Sequence, residues 1–105
     1  MKRNYKIYQL DAENENVKRD GKLFKSWDML NRTCGFCFKW EYKKVYEGVI
    51  ELKDGTDDEQ ALDILFEIFN LNHPEDYHGR SMSVSDVVEL DGVRYYCDSM
   101  DWVKV

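Results

Sequence analysis

The chain has 105 residues, 43% hydrophobic and 14% aromatic with one proline, a composition that builds a core although 34% of residues are charged. One domain, 1–105, is expected; no apolar run approaches the ~18 residues of a membrane span and residues 1–10 lack a signal-peptide pattern, so the expected setting is cytoplasmic, away from membranes. Residues 1–55 carry 12 Lys/Arg against 9 Asp/Glu and residues 56–105 carry 3 against 12, so net +3 precedes net −9, and the anionic second half disfavours nucleic acid while attracting basic protein surfaces.

Tyr5 to Leu10 alternates, with Tyr5, Ile7 and Gln9 on one face and Lys6, Tyr8 and Leu10 on the other, which predicts a strand. Asp11 to Gly21 is polar, contains Asn14 and Asn16, ends in Asp-Gly and reads as a surface connection. Ser26 suits an N-cap, Trp27, Leu30 and Cys34 follow at helical spacing, and Gly35 suits a left-handed terminus, so a helix over Trp27 to Thr33 is expected. Phe36 to Tyr42 is dense in aromatics and takes no assignment. Lys43 to Leu52, closing on Asp54-Gly55, reads as a second strand.

Thr56-Asp57-Asp58-Glu59 has the form of a capping box with Thr56 as cap and Glu59 reaching back. Ala61, Leu62, Ile64, Leu65, Ile68 and Phe69 then mark a core-facing stripe, with Gln60, Asp63 and Glu67 toward water, and Asn70 to Pro74 ends the helix. Asp86–Leu90 and Val93–Cys97 flank the hairpin turn Asp91-Gly92, and Trp102 to Val105 reads as a last strand. The expected fold is α+β, a mostly antiparallel sheet with two helices on one face, in the order β-α-β-α-β-β-β.

The segment His73-Pro74-Glu75-Asp76-Tyr77-His78-Gly79-Arg80-Ser81-Met82-Ser83-Val84-Ser85-Asp86-Val87-Val88, with Asp98-Ser99 after Tyr96-Cys97, resembles the signature of the YodL-like domain. The upstream Val45-Tyr46-Glu47-Gly48 and its following helix are also similar to that family. The ending Met100-Asp101-Trp102 departs from the Phe-Gly-Phe-like close of many members. The resemblance implies a fold and a setting, Firmicutes and their mobile elements, without an assigned activity. In that setting the expectation is a counter-defence protein, specifically an anti-CRISPR protein that binds Cas9 or a similar nuclease. The family-motif positions here are His73, Pro74, Asp76, Gly79, Arg80, Ser81, Ser83, Ser85, Asp86, Asp98 and Ser99.

Cys34 and Cys37 form one Cys-x-x-Cys, and with Cys97 and His73 or His78 they fall short of the paired knuckles of structural zinc sites, so ordinary packing cysteines and no metal or cofactor are expected. His73, His78 and Asp86 supply the residue types of a small hydrolase or nuclease, against which stands turn capping around Pro74. Ser81, Ser83 and Ser85 alternate and are expected to share a face and bond local backbone or Asp86. Among Trp27, Phe36, Phe38, Trp40, Tyr42 and Tyr46, three or four are expected in the core; the remainder, interleaved with Lys39, Lys43 and Lys44, suit protein contact or RNA stacking. Asp57, Asp58, Glu59, Asp63, Glu67, Glu75 and Asp76 form the candidate partner-binding acidic face, and the leading expectation is a non-enzymatic inhibitor or adaptor.

Overall fold

The computed structural model describes residues 1–105. In chain order it comprises β1 (Lys2–Leu10), α1 (Glu15–Asp20), α2 (Trp27–Thr33), α3 (Phe38–Glu41), β2 (Tyr42–Glu51), α4 (Asp58–Leu71), β3 (Val87–Leu90), β4 (Val93–Cys97) and β5 (Trp102–Lys104). The five strands form one antiparallel sheet in the order β2-β1-β3-β4-β5. The first strand therefore lies inside the sheet, with Ile7 opposite Tyr46 on one side and Val88 on the other. The β3–β4 hairpin turns at Asp91-Gly92, both with positive φ as such a two-residue turn requires.

Alternation along the inner strands sorts side chains onto two faces. Val88 and Leu90 join Tyr5, Ile7 and the α4 residues Ala61, Leu62, Leu65 and Phe69 in the larger core, with Tyr95 and Trp102 packed against it. Their immediate neighbours Val87 and Tyr96 join Leu30 of α2 in a second cluster, with Tyr8, Trp27, Phe36, Phe38, Tyr42 and Val103 around it. Leu62, Leu65 and Phe69 are essentially inaccessible to solvent, and each such burial contributes about 1.5–3 kcal/mol.

The α+β class, the antiparallel sheet and the succession of strands and longer helices follow the sequence expectation, with two short helices added. The layering differs: α4 covers one face and α2 with α3 part of the other, because β3 to β5 carry large apolar residues at consecutive positions, which demands cover on both sides. Within the supposed connection Asp11–Gly21, α1 forms because Asn14 accepts from the amides of Asn16 and Val17 and Gly21 closes the end in the left-handed region. Its one buried residue, Val17, leaves no periodicity to read. The cap of α4 is Asp57, not Thr56: Asp57 accepts from Gln60 N at 2.8 Å while Gln60 returns to Asp57 N at 3.2 Å. Thr56 instead donates its hydroxyl to Lys53 O, closing the preceding turn, and is thereby removed from competition. Ile64 of the expected apolar stripe is 38% exposed.

Lys22 and Glu41 form a buried ion pair at 2.7 Å, their side chains only 5% and 4% exposed. Lys22 also donates to Gly35 O at 3.4 Å, so one ammonium ties the segment after α1 to the α2–α3 connection and to α3. Phe36 and Phe38 of the second core lie in the chain between these two anchor points, Gly35 and Glu41.

Two stability measurements check these assignments by urea denaturation. Lys22→Met alone leaves Glu41 buried and unpaired and is expected to cost about 3–5 kcal/mol, whereas Lys22→Met with Glu41→Leu regains most of the loss. Asp57→Ala is expected to cost about 1 kcal/mol, with Thr56→Ala clearly less.

Candidate functional site

The densest polar cluster joins the central strand to the loop between α4 and β3. Gln9, 1% exposed, projects from β1 onto this loop. Its Nε2 lies 3.0 Å from Arg80 O, 3.1 Å from Asp86 Oδ2 and 3.2 Å from Tyr77 Oη, and its Oε1 accepts from Arg80 N at 3.1 Å. Arg80 donates through Nη2 to Leu10 O, and Tyr77 Oη donates to Arg80 O. Asp86, 2% exposed, also accepts from Ser83 N at 3.0 Å. Burial pushes the Asp86 carboxyl up to about 6, against the opposing hydrogen bonds from Ser83 and Gln9 and the charge of Arg80. Nothing in the local sequence marked Gln9 beyond its place on the face of Tyr5 and Ile7; a polar residue at that buried register was the available signal.

The motif residues serve this cluster and its flanks. Gly79 is required by close approach: a Cβ there would sit 2.5 Å from Tyr77 Oη, which reaches over it to Arg80. Pro74 O accepts from Tyr77 N, and His73 Nδ1 lies 2.9 Å from the same carbonyl with its ring tilted against Tyr77. Asp98 Oδ1 accepts from Trp27 N at 3.0 Å and Ser99 N at 2.8 Å, capping the start of α2 from across the chain. The three serines do not share a face, because residues 81–86 are not a strand. Ser81 is exposed, Ser83 bonds Val84 O, and Ser85 is fully buried at φ 87. Ser85 accepts Phe24 N on its hydroxyl and Tyr42 Oη on its carbonyl, two ties that hold a conformation unfavourable for a non-glycine residue.

His73, His78 and Asp86 are not brought together as an acid–base set. Both imidazoles are exposed, while the Asp86 carboxylate is enclosed and hydrogen-bonded to Gln9 and Ser83. Cys34 and Cys37 are half-buried at the end of α2 and the start of α3, Cys97 is buried, and no group of three His, Cys, Asp or Glu side chains is arranged to hold a metal. Of the six aromatic candidates, Trp27, Phe36, Phe38 and Tyr42 pack in the second core and Tyr46 against the first. Trp40 remains 72% exposed, with Lys39 Nζ 5.1 Å from its ring.

The acidic face divides into two groups. Asp57 caps α4; Asp58 pairs with Arg3 at 2.9 Å and accepts Tyr95 Oη; Asp63 accepts Trp102 Nε1 at 2.9 Å; Asp76 accepts Tyr46 Oη at 2.9 Å. The Tyr95 hydrogen bond, and after it that of Arg3, holds the Asp58 carboxyl below the usual aspartate range. The side chains of Glu59, Glu67 and Glu75 are exposed and enter no hydrogen bond or ion pair within the chain. Glu59, Asp63 and Glu67 follow at four-residue steps along α4, forming one outward ridge. No helix is long and apolar enough to cross a membrane.

Comparison with known families matches residues 4–105 to the YodL-like domain, nearly the whole chain and not only its last third. No curated protein and no solved structure matches it.

The buried carboxylate makes a pH signature. Because the folded-state value of Asp86 lies above its ordinary 3.8, its contribution to stability is fully present below 3.8 and is lost as pH rises through about 6. That difference corresponds to about 3 kcal/mol. Denaturation midpoints between pH 4 and 7 are expected to fall with rising pH in the parent protein and to flatten in Asp86→Asn.

Proposed function

The chain belongs to the YodL-like domain family, and we propose that it is a non-enzymatic inhibitor or adaptor that acts by binding a protein partner through the acidic ridge of α4 and the loop that follows. The observation that carries this reading is the set Glu59, Glu67 and Glu75, exposed carboxylates without an internal partner in a half of the chain with net charge −9. Such groups are open to an external cation, and the summed field of the anionic half steers a basic surface toward the domain.

The partner that suits this chemistry is a protein whose Lys/Arg-lined groove otherwise holds nucleic-acid phosphates. A bacterial defence nuclease such as Cas9 is the specific target proposed, blocked at its guide- or DNA-binding surface, which makes the domain an anti-CRISPR protein of a mobile element. The interaction is stoichiometric, uses no cofactor and needs no direct contact between the domain and nucleic acid. Asp57, Asp58 and Asp76 support the surface from within and are poor probes of it, because their removal uncaps α4 or breaks the Arg3, Tyr95 and Tyr46 contacts.

The test is a titration of the domain against Cas9 and its guide-bound complex at 50 and 300 mM salt, comparing parent with Glu59→Lys/Glu67→Lys/Glu75→Lys. Binding by the parent is expected to weaken at the higher salt, and the triple variant, with an unchanged denaturation midpoint, is expected to lose at least tenfold in affinity, about 1.4 kcal/mol. Equal affinity of parent and variant at both salts overturns the electrostatic mechanism, and absence of binding to either form of Cas9 overturns that target.

A further inference from the structure

We propose that the hollow between α4 and the turn joining β4 to β5 is a receptor for an arginine side chain of the partner, an inference that rests on the protein-binding function proposed above. The hollow is lined by Asp63 and Phe66 of α4, by Cys97 at the end of β4, by Asp98 to Asp101 of the turn and by Trp102. It encloses about 140 Å³, below the ~300 Å³ at which pockets for drug-sized molecules begin, so a single side chain is the occupant that fits.

Its walls are aromatic and its rim is anionic. Trp102 and Phe66 meet edge to face with centroids 6.4 Å apart, and the bond from Trp102 Nε1 to Asp63 fixes the indole in place. Met100 stands on the rim, 93% exposed. Asp63, Asp98 and Asp101 bring three carboxylates to this place, no Lys or Arg lines it, and none of the three takes part in an ion pair. The Cys97 thiol, 4% exposed, has only a weak 3.9 Å contact to Asp98 O. Burial, and after it the charges of Asp86, Asp98 and Asp63, push that thiol up to about 12.

A guanidinium satisfies all of these features together. Its planar face stacks on an indole, its forked N–H groups donate to more than one carboxylate, and its aliphatic stem suits a flexible apolar rim such as Met100. The other hollows lack this combination. The one lined by Gln9, Lys43, His78 and Arg80 is cationic, and in the one between Lys6, Glu47, Glu89 and Asp91 the charges are already paired, Lys6 and Arg94 with Glu89, Lys44 with Glu47 and Arg3 with Asp91. The receptor lies against the Glu59–Asp63–Glu67 ridge, so an arginine seated there brings its neighbours onto the same carboxylates.

The experiment is an NMR titration of the intact domain with N-acetyl-arginine amide, following the Trp102 indole N–H, assigned by its loss in Trp102→Phe. A saturable shift with the arginine amide, none with the neutral citrulline analogue, and at least fivefold weaker binding in Asp63→Asn/Asp101→Asn is the expected result. Both substitutions keep an acceptor at each position, and a denaturation curve confirms the fold. No saturable shift, or an equal response to citrulline amide or to lysine amide, overturns the assignment. If the arginine amide fails while reversal of Glu59, Glu67 and Glu75 still weakens the partner complex, the receptor is wrong and the protein-binding function stands. If the arginine amide binds as expected while that reversal changes nothing, the receptor stands and the ridge is not the electrostatic contact.

Discussion

The amide of Gln9 is the constraint on which the rest of this domain depends. It is buried on the central strand, where an unsatisfied amide would be costly, and its partners all come from the loop some 70 residues further along the chain. Satisfying it fixes the path of residues 77–86, and that path sets where Ser85 and Asp86 lie and where β3 begins. From β3 the sheet propagates through β4 to β5. No buried side-chain nitrogen or oxygen lacks a partner, so the polar interior is a complete network, the condition under which such a network specifies a single arrangement.

The same economy of polar contacts governs the surface charge. Seven carboxylates in α4 and its following loop look alike as residues, yet four are occupied as a cap, an ion-pair partner or acceptors from Tyr95, Trp102 and Tyr46. Asp57 caps its own helix, and the other three bind α4 and its loop to the sheet, Asp58 through Arg3 and Tyr95, Asp63 through Trp102 and Asp76 through Tyr46. The remaining glutamates are free to interact outward. Neighbouring acids of α4 and its loop thus differ in whether they face a donor on this chain.

Local pattern was sufficient wherever neighbours in sequence decide the outcome. The helix from Trp27 to Thr33, the amphipathic α4 and the hairpin at Asp91-Gly92 were legible because capping, 3.6-residue periodicity and positive-φ turns act within a few residues. α1 and α3 were not, since one holds a single buried apolar residue and the other is four residues long. The cap of α4 was displaced by one position because two overlapping capping sequences, Thr56 with Glu59 and Asp57 with Gln60, compete, and the turn back to Lys53 engages Thr56. The motif serines misled because alternation implies a strand only when a partner strand is present, and Asp86 and Ser85 are instead held by contacts distant in the chain.

By itself the sequence determined the fold class, the antiparallel hairpin and the anionic second half, properties set by composition and by short-range pattern, while the family was carried by the resemblance of the motif from His73 to Val88. Tertiary structure alone decided that helices cover both faces of the sheet, that Gln9 closes around Asp86, that Lys22 and Glu41 meet in the interior, and which acids remain unpaired. The reason is physical: each of those outcomes depends on a hydrogen bond, ion pair or packing contact between residues separated in the chain, from the 19 positions between Lys22 and Glu41 to the 77 between Gln9 and Asp86, and a pattern read over a few neighbouring residues carries no signal of it.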